Sequence, residues 1–158
     1  MLAEGEFAHV QKYLEIALHK TAAWVGEHDL YALLADAAAQ QRDESALQKY
    51  APLAEAFASR YDHKLYLAIA HRTWGVAHHL AGDYVEAESK LKQALDLFNS
   101  MNARYQIGST LFELGELAVV QTDTGKARDY FTHALVAFES MQAVPDVSRV
   151  RSALERLK

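Results

Sequence analysis

The chain has 158 residues, with 16 basic against 21 acidic side chains for a net charge of −5, and it has two Pro, seven Gly and no Cys. That length holds one domain or one short array of repeats, and a chain of this size buries roughly 70% of its unfolded surface without covalent staples. The absence of Cys excludes disulfides, thiolate metal sites and a Cys nucleophile, and the acidic balance argues against nucleic acid as the main partner.

The first ten residues, MLAEGEFAHV, are acidic and broken by Gly5, which is not a signal-peptide pattern. A helix is expected over 3–20, with Val10, Leu14, Ala17 and Leu18 on one stripe. A longer connection holding Trp24 leads to helices over 27–41 and 43–59. In the next, over 62–81, Leu67, Ala70, Trp74 and Ala77 share a face, and Gly82-Asp83 ends it as a tight turn. The helix over 83–100 carries Ala87, Leu91, Ala94, Leu95 and Phe98 at helical spacing, with Glu88, Lys90, Lys92, Gln93 and Asp96 on its solvated side. A helix over 102–121 meets the turn Thr122-Asp123-Thr124-Gly125, and one over 123–141 follows. The last helix, 146–157, opens at Pro145-Asp146, read as a turn and an N-cap. No run of alternating β-branched residues bounded by hairpin turns competes with these helices. No apolar stretch approaches the ~18 residues of a membrane span.

The chain repeats itself. Residues 94–103, ALDLFNSMNA, and 134–143, ALVAFESMQA, agree at six of ten positions. The same offset of 40 extends back through Leu91/Phe131, Ala87/Ala127, Asp83/Asp123 and Gly75/Gly115. A third copy fits at an offset of 41, with Ala46, Tyr50, Ala54 and Phe57 on Ala87, Leu91, Leu95 and Phe98. A partial fourth starts at Gly5-Glu6-Phe7, matching Gly82-Asp83-Tyr84. Such periods mean a stacked array in which each helix pair buries its apolar face on the next. The expected architecture is all-α: one domain over 1–158, divided into a partial repeat 1–26, repeats 27–61, 62–101 and 102–142, and a capping helix 146–158.

Trp74-Gly75, Gly82, Tyr84, Ala87, Leu91 and Ala94, together with Leu114-Gly115, Ala127, Phe131 and Ala134, resemble the tetratricopeptide repeat in its longer bacterial form. The middle copy departs from the pattern, with Leu34 where Gly is usual and Ala46, Tyr50 and Leu53 in the second helix. The family's terminal Pro is missing at Asn99 and Glu139. The ending Phe-Glu-Ser-Met-Gln-Ala-Val-Pro-Asp is similar to the C-terminal end of repeat regions in larger bacterial regulators. The resemblance implies a right-handed α-α superhelix, a solenoid of about three and a half helix pairs with a capping helix. It also implies an interaction module whose first helices line a concave groove for peptides or protein segments. In that register the inward positions are His28, Tyr31, Ala35 and Ala38, then Ile69, Arg72, Val76 and His79, then Ser109, Phe112, Glu116 and Val119. Longer first helices add Tyr66 and Tyr105. The expected ligand groove is therefore Tyr31, Tyr66, Ile69, Arg72, Val76, His79, Tyr105, Ser109, Phe112 and Glu116. It lacks the Lys/Asn-rich pattern of arrays that clamp a C-terminal carboxylate.

Signals for chemistry are sparse. There is no Gly-rich phosphate loop and no Gly-x-Ser-x-Gly elbow. Glu6 and His9 form one Glu-x-x-His, whereas a di-iron bundle needs two. His71 and His78 share a face but stand two turns apart, ~10.5 Å along the axis, and bonds of ~2 Å cannot span that. His78 takes the place of a packing Tyr, and His79 a groove position. Glu113 reads as part of a solvated face, and Glu116 as a groove-facing carboxylate. The basic C-terminal stretch with Arg149, Arg151, Arg156 and Lys158 also carries Val147, Val150, Leu154 and Leu157 as an apolar stripe, so it reads as a cap.

No catalytic residue, metal or cofactor is expected. The expected function is a cytoplasmic, non-catalytic scaffold or regulatory interaction module. It would bind a peptide, a protein segment or another domain of its parent protein, with no nucleic acid and no membrane. The alternative is a small-molecule-sensing regulatory domain of a larger bacterial signalling protein. Phe7, Val10, Tyr13, Leu14, Ile16, Ala17 and Leu18 surround much of the first helix, and a patch this apolar tends to recruit a partner. A two-fold homodimer through that helix is the simplest expectation.

Overall fold

The computed structural model describes residues 27–158, with Glu27 and His28 by backbone alone, and also His9, Lys12, Tyr13, Glu15 and Ile16, which are helical. The partial repeat expected over 1–26, including Trp24 and most of the first stripe, lies outside the described residues. Seven helices follow in chain order: α1 Glu27–Gln41, α2 Glu44–Arg60, α3 Lys64–Leu80, α4 Tyr84–Ser100, α5 Arg104–Val120, α6 Thr124–Glu139 and α7 Val144–Glu155. The chain is all-α, with no strand among the described residues. Each helix packs chiefly on its chain neighbours, and α1 also meets α3.

What spaces these helices is a recurring stop. Arg42, Asp62, Gly82, Asn102, Thr122 and Gln142 all have positive φ, and they fall every 20 residues. At each, the next residue's N–H donates back to a carbonyl in the helix just ended: Asp43 to Ala38, His63 to Ala58, Asp83 to His78, Ala103 to Phe98, Asp123 to Ala118 and Ala143 to Phe138. This is the left-handed C-terminal cap, which satisfies carbonyls that a helix end leaves free. Asp43 and Asp123 then start the following helices by accepting the N–H groups of Ala46 and Lys126.

The uniform period corrects the register of the third copy from 41 to 40. At that offset Leu47, Ala51, Ala54 and Ala58 of α2 align with Ala87, Leu91, Ala94 and Phe98 of α4 and with Ala127, Phe131, Ala134 and Phe138 of α6, and all twelve are buried. The first helices move with it: Ala35, not Leu34, stands where α3 has Gly75 and α5 has Gly115. The reason for those glycines is space. A Cβ on Gly75 would lie 2.5 Å from Leu91 Cγ, and one on Gly115 2.5 Å from Phe131 Cε1. In the α1–α2 pair the corresponding residues are Ala35 and Ala51, both buried. A smaller second-helix side chain there leaves volume for a first-helix Cβ, as close packing requires.

The last helix also starts differently from expectation. It begins at Val144 with Ala143 as its N-cap, and Pro145 sits in its first turn instead of ahead of it, a position where the missing N–H costs nothing. Asp146 is buried inside the helix and pairs with Arg149 at 3.1 Å. Val150 and Ala153 close the end of the core formed with Phe131 and Phe138.

Candidate functional site

Four first helices converge on one pocket. Asp36, Ala39 and Gln40 come from α1, Arg72 and Val76 from α3, Tyr105, Ser109 and Glu113 from α5, and Arg149 from α7. The helices are spaced so that equivalent positions recur on this inner face: Asp36, Val76 and Glu116 share one register position, and Ile69, Ser109 and Arg149 another.

Ion pairs organise the face. Arg72 is only 4% exposed, and a buried cation needs a partner. Its Nη2 donates to Asp36 Oδ1 at 2.7 Å, its Nη1 to the Gln106 carbonyl at 3.4 Å, and its guanidinium lies 5.2 Å from the Phe98 ring centroid. Arg42, in the α1–α2 turn, reaches Glu113 on α5 at 2.8 Å. Glu113 was expected on a solvated face; its side chain is instead 14% exposed, because this long-range pair draws it into the inner face. Glu116 pairs with Arg156 of α7 at 2.8 Å. Arg149 lies 4.2 Å over the Phe112 ring.

Of the expected groove residues, Arg72, Val76, Tyr105 and Ser109 line the pocket. Tyr105 also meets Phe138 edge-on at 5.6 Å; burial, then Asp146, pushes its phenol up. Glu116 lies on the same face, committed to Arg156. Ile69 and Phe112 are core residues instead. Ile69 is buried with Ala94 and Phe98. Phe112 packs 5.4 Å from the Phe131 ring, and Arg149 covers it. Tyr31 turns to α2, its ring 5.1 Å from Phe57. Ala35 and Ala38 are buried in the core of the first pair, the consequence of the one-residue register slip. Tyr66 stacks on His63 at 4.0 Å, and its phenol is pushed up to about 12, first by a hydrogen bond with Asp29 and then by burial. Val119 is exposed, and the side chain of His28 lies outside the described residues.

His79 is half-buried, edge-on to Tyr84 at 6.2 Å. Burial holds its imidazole below the usual value, Arg42 adds to that, and Glu113 opposes it. His78 packs against Trp74 at 5.8 Å and lies 3.5 Å from Asp83, while the Trp74 indole N–H donates to Glu55 at 2.8 Å. Among the described residues no group of three His, Asp or Glu side chains is arranged to hold a metal, and no helix is long and apolar enough to cross a membrane.

The sequence spacing does not point to Asp36, Gln40, Glu113 and Arg149 as pocket residues, nor to Arg42 as the partner of Glu113. Only the uniform offset of 40 seen in the structure, read from Val76 and Ser109, places Asp36 and Arg149. Nothing local marks Arg42, whose partner lies three helices away.

Helix pairs of equal length, joined by equivalent turns and presenting their first helices to one face, define an all-α helical-repeat solenoid. Residues 66–140 match the family model described as tetratricopeptide repeat, and this match together with the recurring helix pairs supports a tetratricopeptide-repeat protein. Such repeats generally mediate protein–protein contacts. Among solved structures, BtubC (BKLC) from P. vanneervenii is similar, with a TM-score of 0.71 and 17% identity over 98% of this chain and 66% of that one. This chain thus spans just under two thirds of that protein's length, and at this identity the likeness is one of fold. No curated protein matches the sequence.

Proposed function

We propose that the inner face seats a peptide or protein segment and that the chain works as a non-catalytic scaffold or regulatory interaction module. The observation that carries this reading is the convergence of α1, α3, α5 and α7 on one pocket lined mainly by polar side chains, with Tyr105 as its one aromatic residue. Its accessible part is Tyr105, Ser109 and Gln40, flanked by Glu116 and Arg156. The charges there are already paired within the chain, Arg72 with Asp36, Arg42 with Glu113 and Arg156 with Glu116. A partner therefore gains most from an apolar anchor against Tyr105 and from backbone hydrogen bonds, and less from net charge. Panning a random twelve-residue peptide library on the protein tests this. Binders are expected whose affinity falls about tenfold in Tyr105→Ala, the size of one good anchor, and is unchanged in Val85→Ala. Enriched peptides indifferent to Tyr105 would move the site elsewhere.

The alternative, a metabolite sensor, draws on the enclosed end of the same pocket, where Arg72 and Val76 are withdrawn from solvent. A thermal-shift panel of amino acids and nucleotides, with Arg72→Met as control, separates it from the peptide reading. In either case we take 1–158 as one solenoid acting in the cytoplasm. For the homodimer, Tyr13 at 71% and Ile16 at 40% exposure supply accessible apolar groups.

A further inference from the structure

The last helix and the residues just past it carry charge on two different sides. Arg149 lines the inner-face pocket, and Arg156 pairs with Glu116 on that same face. Arg151, Leu154, Glu155 and Lys158 lie elsewhere: with Arg128 and Thr132 of α6 they line an open groove of about 340 Å³. The offset of 40 shows what this groove corresponds to. Arg151, Glu155 and Lys158 stand where α5 has Leu111, Gly115 and Ala118, and in α5 that stripe is the seat of α6. Leu111 and Ala118 share a core cluster with Ala127 and Phe131, and a Cβ on Gly115 would run into the Phe131 ring. The central position is small in each earlier first helix, as Ala35, Gly75 and Gly115. Glu155 in its place bars a helix from coming as close as α6 does. An apolar stripe laid there would also strip water from three ionised groups, a cost that nothing would offset.

The seat therefore suits an occupant that brings its own charge, and its sign follows from the lining. Three cations, Arg128, Arg151 and Lys158, face one anion, Glu155, in a chain whose acidic residues outnumber the basic by 21 to 16. The commitments of these cations within the chain are slight. Arg151 reaches Glu139 at 2.8 Å, but the two side chains are 62% and 45% exposed, and such a pair adds little. Arg128 donates to the Leu157 carbonyl at 3.3 Å, and Lys158 is exposed. We propose that this groove docks an acidic peptide segment, whose carboxylates meet Arg128, Arg151 and Lys158 while an aliphatic side chain covers the half-buried Leu154. Glu139 gives up Arg151 to the incoming carboxylate, and Glu155 repels one placed at the centre. Opposite charge also steers the approach, whereas the net charge of −5 over the whole chain disfavours a nucleic acid. The groove is separate from the inner-face pocket, so it stands or falls apart from the reading proposed for that pocket.

Fluorescence anisotropy with a fluorescein-labelled twelve-residue peptide, three repeats of Glu-Glu-Leu-Glu, tests this. Saturable binding is expected. It should weaken about tenfold when Arg128→Glu and Arg151→Glu are combined, the size of two exposed pairs turned repulsive, and tighten about twofold in Glu155→Gln. Tyr105→Ala, in the inner-face pocket, should leave it unchanged. If the combined variant loses its helical circular dichroism, Lys158→Glu gives the same readout with a loss of about threefold. The proposal is overturned by a flat titration of the natural chain, by equal binding of the peptide with Gln for every Glu, by loss of binding in Tyr105→Ala, or by equal or tighter binding of a twelve-nucleotide single-stranded DNA.

Discussion

The ring of Phe131 occupies the volume that any side chain at Gly115 would need: a Cβ there would lie 2.5 Å from Cε1. Gly115→Ala is therefore expected to destabilise the chain by about 1–3 kcal/mol through overpacking, against the small gain that Ala brings to a helix interior. Phe131→Ala alone should cost about 3–5 kcal/mol. The double variant recreates the Ala35 and Ala51 arrangement of the first pair, so it should lose less than the sum by about 0.5–3 kcal/mol. Urea unfolding of the four proteins measures this; strict additivity would mean that the two residues do not compete for space.

Thr122 holds a β-branched side chain at φ 59, where an L-residue costs roughly 1–2 kcal/mol. Thr122→Gly is expected to stabilise by about 0.5–1 kcal/mol once the greater freedom of unfolded Gly is subtracted. Gly82→Ala, at the equivalent turn, should move stability the other way. Melting temperatures of the two variants decide it, and a lower value for Thr122→Gly would contradict the strain argument.

Asp36→Ala leaves the Arg72 guanidinium buried without its carboxylate. The expected loss is about 3–5 kcal/mol, as for other broken buried pairs, whereas Asp36→Leu with Arg72→Met should be far milder. A double variant as damaged as the single one would show that packing, not the stranded charge, dominates.

His71 and His79 both carry imidazoles held below the ordinary histidine value of 6.5, in each case chiefly by burial, with Lys90 and Arg42 as the respective next causes. The unfolded chain therefore takes up these protons first as the pH drops. Stability from this source is complete above 6.5 and declines from there toward the lower folded values. Denaturation midpoints from pH 7.5 down to 5 are expected to fall, and the slope should flatten when both are replaced by Gln. An unchanged slope would assign the acid sensitivity to carboxylates.

The helices and their limits were legible because stripes such as Ala87, Leu91, Ala94 and Phe98 show only one apolar phase. The first pair was misread by one residue for the opposite reason. Ala32, Ala35, Ala37, Ala38 and Ala39 of α1 are all buried, so apolar residues occupy nearly every phase and a slip leaves no trace in the pattern. That slip hid Asp36. Of the expected inner face, Arg72, Val76, Tyr105 and Ser109 line the pocket; the others do not. Phe112 holds a position that faces inward in the family pattern, and it is covered because Arg149 arrives over it from α7, just as Glu113 is drawn in by Arg42 from the α1–α2 turn. No spacing in the sequence records those meetings.

Because every turn from Arg42 to Gln142 recurs at 20 residues, the chain obeys a rule of parity for insertions and deletions. Adding or removing 40 residues between two equivalent turns returns each later helix to its own kind of seat and merely lengthens or shortens the array. A change of 20 makes inner helices outer ones and sends Arg149 and Arg156 to the wrong side, while one of a few residues within a helix turns the following stripe away from its core. Viable length variants of this chain should therefore differ in steps of 40, or by insertions confined to the turns themselves.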